Sequence, residues 1–168
     1  MKISRLMILV FLMVFGSGFC AFAKDISSAD AVKLTLSSIE IAQKQGYKVS
    51  VTVIDSQGVI LATVRTDGAF GHTPKTSYKK ANTALVAKET TLSLVNRFTK
   101  NGSVDMSKFI VSNLVGSDNI IILGGGVPIY ENGILIGAIG IGGAPGGHLD
   151  EAIALEAMKK AGYTAAEK

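Results

Sequence analysis

The chain has 168 residues, 48% of them hydrophobic, with a single cysteine and a formal net charge of +4. One cysteine rules out an intrachain disulfide and a cysteine-built zinc site, and so small a basic surplus gives no sign of a nucleic-acid partner. The length suits one ordinary domain with its own core.

In chain order, Lys2 and Arg5 form a short basic head before the apolar run from Leu6 to Phe15, which is too short to span a bilayer comfortably. Gly16 and Gly18 follow, then Ala21-Phe22-Ala23, a small-x-small pattern that a signal peptidase accepts. Residues 1–23 are therefore expected to be a cleaved leader and 24–168 an exported, periplasmic or extracellular domain with no membrane attachment. Loss of Lys2, Arg5 and Cys20 would leave a net charge of +2 and no cysteine, so stability would rest on packing or oligomerisation.

Residues 27 to 45 read as an amphipathic helix with Ala29, Val32, Leu36 and Ile39 on its apolar face, capped by Ser27 or Ser28 and ended by Gly46. Val49, Val51 and Val53 alternate with polar residues as a half-buried strand does. The turn Asp55-Ser56-Gln57-Gly58 then returns the chain through a second strand, Val59 to Val64. Asp67 to Gly71 breaks regular structure. Pro74 suits the approach to a long helix from about Ser77 to Phe98, and a shorter helix is expected from about Asp105 to Leu114. Ile120–Leu123, Gly126–Tyr130 and Ile134–Ile141 read as three strands, the last two joined by the hairpin signal Asn132-Gly133. A closing helix runs from Leu149 to Ala161, with Asp150 and Glu151 in its first turn. Strands joined by tight turns point to an α+β fold, an antiparallel five-stranded sheet flanked by helices, in preference to alternating crossover units.

Chemistry-bearing motifs are sparse. Gly140-Ile141-Gly142-Gly143-Ala144-Pro145-Gly146 puts Pro145 where a dinucleotide fingerprint needs glycine, and it closes a sheet instead of opening one. Tight turns and close backbone packing account for most of these glycines. No serine-nucleophile motif or paired carboxylate declares an enzyme. His72 and His148 each lie in a loop; either is a plain solvent histidine or an axial ligand for haem iron. Lys75, Lys79 and Lys80 form a basic helix entry, either a solvated face or a partner for haem propionates.

Val51-Thr52-Val53-Ile54-Asp55, Arg65-Thr66-Asp67-Gly68-Ala69, Lys80-Ala81-Asn82-Thr83-Ala84, Gly124-Gly125-Gly126-Val127-Pro128-Ile129, Gly137 to Gly143 and Leu149-Asp150-Glu151 together resemble, in the same order, the GlcG/HbpS family of small haem-binding proteins. The similarity covers nearly the whole chain after the leader. It implies a profilin-like α/β fold, assembly into homo-oligomers and binding of haem or a related tetrapyrrole, in some members with slow haem breakdown and iron handling. This chain resembles the secreted branch more than the cytoplasmic one, and an extracytoplasmic protein partner is a further expectation. Within that branch the Lys-Ala-x-Thr-Ala helix lies at the haem site, which points to Thr83. The expected cofactor site is thus His72, Lys75, Lys79 and Thr83, with His72 ranked above Thr83 as iron ligand by intrinsic affinity and His148 the next candidate should neither serve. The alternative is an enzyme or binding module for another small organic or corrinoid-related molecule, with Asp67 or His72 in a pocket.

Overall fold

A computed structural model describes residues 24–100, 103–104 and 116–166. The expected leader and the helix expected at 105–114 lie outside the described residues. The elements are α1 (Ser28–Lys44), β1 (Ser50–Asp55), β2 (Ile60–Arg65), α2 (Thr73–Ala87), α3 (Thr91–Phe98), a two-residue ladder of β3 (Thr99–Lys100) with β4 (Ser103–Val104), β5 (Gly126–Glu131), β6 (Ile134–Gly142) and α4 (Gly147–Ala161).

The main sheet is antiparallel in the order β2-β1-β6-β5. It has four strands where five were expected, because Ile120–Leu123 joins no ladder. The Ile121 amide donates to Thr83 Oγ1 at 2.9 Å, and Ile122 packs with Leu94 and Phe98. Gly125, at φ +114°, then redirects the chain into β5. A side chain has taken the donor that a strand would have offered to a neighbour.

Both faces of the sheet are covered. Val51, Val53, Val127, Ile129, Ile139 and Ile141 pack with residues of α1 and α4 such as Leu34, Ile153 and Met158. The opposite face carries Ser50, Thr52, Ala138, Gly140 and Gly142, and α2 lies on it. Strand alternation explains this division: a large residue on one face is followed by a small one on the other. The small face lets α2 approach backbone to backbone. A Cβ on Gly140 would lie 2.0 Å from the Ser77 carbonyl oxygen, and one on Gly126 would lie 2.1 Å from that of Lys80. Buried hydroxyl pairs, Ser50 with Thr73 at 2.7 Å and Thr52 with Ser77 at 2.8 Å, occupy the same interface.

Two helices differ from the sequence reading. In α1 the buried stripe is Ala31, Leu34, Thr35, Ser38, Ile39, Ile41 and Ala42, while Val32 and Leu36 are 46% and 51% exposed. Thr35 and Ser38 bury their hydroxyls by donating to the carbonyls of Ala31 and Leu34, so polar residues served as core positions. The expected helix 77–98 is two helices. Lys88 adopts φ 55°, in the left-handed region, and Thr90 starts α3 by accepting from the Ser93 amide. The first of them begins at Thr73, with Pro74 in its opening turn, four residues before the predicted start. Ser27 caps α1, and Asn132 and Gly133, both at positive φ, close the β5–β6 hairpin as a type I′ turn demands.

Candidate functional site

The loop before α2 and the glycine-rich segment after β6 meet because α2 lies across β6. Between them opens a cleft of about 660 Å³, within the range of small-molecule and cofactor sites. Its mouth carries exposed Phe70, His72 and His148; Leu92 and Val95 of α3, with Leu123, form an apolar wall; Thr73, Lys80, Gly124 and Asp150 form the buried floor.

The two histidines are held by different devices. His72 occupies the N-cap position of α2 without a side-chain capping bond, and its imidazole stacks on Phe70 with centroids 5.9 Å apart and 17° between planes. The loop beneath it is pinned at both ends: Thr66 Oγ1 donates to the Val49 carbonyl at 3.0 Å, and Thr73 Oγ1 donates to the Phe70 carbonyl at 2.7 Å. His148, in the first turn of α4, lies over the backbone of Gly146, where a Cβ would come within 2.7 Å of the ring.

At the floor, Lys80 and Asp150 form a buried ion pair, 4% and 3% exposed, with Nζ to Oδ2 at 2.7 Å. Lys80 also donates to the Ile141 carbonyl at 2.9 Å, and the other Asp150 oxygen accepts from the Ala144 amide at 3.1 Å. Glu151 turns the other way and accepts from the Leu92 amide at 3.0 Å. Burial raises the pKa of Asp150 against the opposing pull of Lys80, and burial likewise raises that of Glu151 against its hydrogen bonds to Leu92 and Thr90. These two acids therefore do more than face the helix dipole. They join the start of α4 to α2, α3 and the glycine loop, which are the walls of the cleft.

The expected site residues separate. His72 lines the cleft; Thr83 does not. Thr83 is buried, donates to the Lys79 carbonyl at 2.7 Å, and borders a smaller apolar cavity of about 200 Å³ with Leu94, Phe98 and Ile120. Lys75 is exposed and Lys79 half-buried, and neither lines the cleft. Lys80 belongs to the floor and not to an open basic face. Sequence reasoning missed the Lys80–Asp150 pair, 70 positions apart, along with Phe70 and the role of Glu151. Among the described residues no group of three or more His, Cys, Asp or Glu side chains is placed to hold a metal ion.

An antiparallel sheet covered on both faces, with an apolar cleft edged by two imidazoles, defines a small α/β ligand-binding domain. The family described as "Haem degrading protein HbpS-like" matches residues 26–159, and the chain belongs to that family. It is 33% identical over 102 residues to Protein GlcG of Escherichia coli K12, covering 61% of this chain and 69% of GlcG. To the corrinoid adenosyltransferase PduO of Salmonella typhimurium it is 30% identical over 118 residues, 70% of this chain but only 34% of that protein. Among solved structures, a double mutant of HbpS from Streptomyces reticuli superposes with a TM-score of 0.74 at 29% identity, over 86% of this chain and 92% of HbpS. A PduOC:heme complex superposes with a TM-score of 0.73 at 27% identity, over 84% and 99% of the two chains.

Proposed function

We propose that this chain is an exported haem-binding protein that holds haem in the 660 Å³ cleft, with His72 as an axial ligand. The carrying observation is that an imidazole set by aromatic stacking lies at the mouth of an apolar cleft of cofactor size. Imidazole is a common protein ligand of haem iron, and the apolar wall suits a flat conjugated macrocycle. When bound, haem supplies an iron centre able to take up small ligands and electrons. The chain's own part is to seat the ring, orient the imidazole and limit water at the inner edge.

Export follows from the leader, and residues 24–168 form the mature domain. Support comes from Lys24, Asp25 and Ile26: Lys24 pairs with Glu131, Asp25 accepts from the Ser56 amide at 3.1 Å, and buried Ile26 donates to the Ile136 carbonyl at 2.9 Å. A homo-oligomer is part of the same reading, since β2 is an edge strand that begins at exposed Ile60, just after exposed Val59. Sequestration or sensing of haem outside the cytoplasm is the role such a protein would serve, with an extracytoplasmic protein as its partner.

Titration of the purified mature chain with ferric haem tests the proposal. A saturable Soret shift is expected, and His72→Ala should change the ferric spectrum even where the macrocycle still binds. A spectrum unchanged in His72→Ala but altered in Thr83→Ala would move the iron to the smaller cavity, and one altered only in His148→Ala would move it to the opposite loop.

A further inference from the structure

The cleft's floor and mouth differ in what charge they accept. The Lys80 ammonium has three N–H donors. One goes to Asp150 Oδ2 and another to the Ile141 carbonyl. Asp150 neutralises its charge within the buried pair. The floor therefore holds one ammonium already matched by one carboxylate. Above it stand Leu92, Val95 and Leu123, and among the described residues that line the cleft there is no second lysine and no arginine. At the mouth, His72 and His148 are in contact with water.

A carboxylate carried inward by a ligand would lose its hydration, find the one lysine of the lining already paired, and approach the carboxylate of Asp150. Each of these is costly in a water-poor site. Asp150 itself, 3% exposed, is held there by Lys80 and the Ala144 amide, donors that a second carboxylate would have to share.

We infer that the cleft selects tetrapyrroles with one uncharged edge, taking that edge inward to the Lys80–Asp150 floor and leaving the carboxylates of the other edge at the water-filled mouth. The inference rests on the haem reading above and adds a specificity and an orientation to it. Haem meets the requirement, with vinyl groups on one edge and both propionates on the other. Iron coproporphyrin III does not, since two further propionates replace its vinyls.

The test compares ferric haem, iron coproporphyrin III and haem dimethyl ester on the mature chain by Soret titration. Iron coproporphyrin III should bind at least about tenfold more weakly than haem, whereas esterifying the propionates, which stay hydrated at the mouth, should change affinity by less than about threefold. Leu92→Lys, which sets a cation on the wall of the cleft, should reduce the discrimination against iron coproporphyrin III by about threefold or more. Equal affinity for the two iron porphyrins would overturn the inference while leaving haem binding intact. So would a loss of about tenfold or more on esterification, which would mean that the propionates are paired inside the protein. Absence of any Soret change with haem itself would instead refute the underlying haem reading, and the inference with it.

Discussion

Replacing Lys80 by methionine removes the cation paired with Asp150 at the cleft floor and leaves a carboxylate that is 3% exposed. Its remaining partners are the amides of Ala144 and Gly143. Breaking a buried pair in this way costs about 3–5 kcal/mol, because the desolvation of the surviving charge is no longer offset. A single domain has about 5–15 kcal/mol of stability to lose. With a urea dependence of about 2 kcal/mol/M, the midpoint of unfolding should fall by about 2 M. Asp150→Leu should cost a similar amount by stranding the Lys80 ammonium against the Ile141 carbonyl. The Lys80→Met/Asp150→Leu double variant should recover most of the loss, because an apolar pair of like volume carries no desolvation penalty. Urea unfolding of all four proteins, followed by far-ultraviolet circular dichroism, measures this. A loss below about 1 kcal/mol in Lys80→Met, or a double variant no more stable than the weaker single one, would refute the reasoning.

Gly140→Ala should destabilise at or beyond the upper end of the ~1–3 kcal/mol range for overpacking, because its Cβ would meet the Ser77 carbonyl at 2.0 Å; thermal unfolding checks it. Gly46→Ala, with open space around the site but φ at +78°, should cost only about 1 kcal/mol by the same assay. Glu151 has a folded-state pKa above its ordinary value, so its neutral form favours the fold. That contribution is complete below the ordinary carboxyl range and is lost as pH rises through the raised value. Glu151→Gln, which keeps an acceptor for the Leu92 amide, should flatten this part of the stability–pH curve, as urea midpoints at several pH values would show. Thr83→Val should lose about 1 kcal/mol with its bonds to Lys79 and Ile121, yet leave the ferric haem spectrum as it was, read by absorbance.

Where turn chemistry determined the structure, the sequence was informative. The Asn132-Gly133 hairpin, the Asp55–Gly58 turn and the Ser27 cap each depend on residues adjacent in the chain, and each is present. The face of α1 was not legible in the same way. Apolar residues occur at both helical phases, and the decision fell to Thr35 and Ser38, whose hydroxyls can be satisfied by their own helix. Ile120–Leu123 reads as a strand by composition, but its bonding is decided by Thr83, 38 positions away. The cleft posed the same difficulty. His72 and His148 were visible as candidates one by one, whereas their sharing of one cleft depends on the crossing of α2 over β6. Lys80 looked like one of three similar surface lysines, and only Asp150, on a distant helix, sets it apart.

The glycine contacts beneath α2 leave few means of repair. A clash between two side chains can be relieved by shrinking either one, so hydrophobic interfaces drift through paired exchanges. At Gly126 and Gly140 the opposing atoms are the main-chain carbonyls of Lys80 and Ser77, which every residue type carries. No second substitution can remove them. A lineage that loses either glycine could recover only by moving the helix, and the helix carries Lys80 at the floor of the cleft and follows directly on His72. These two positions should therefore resist both mutation and suppression, and a screen for second-site revertants of Gly140→Ala should return chiefly the restored glycine.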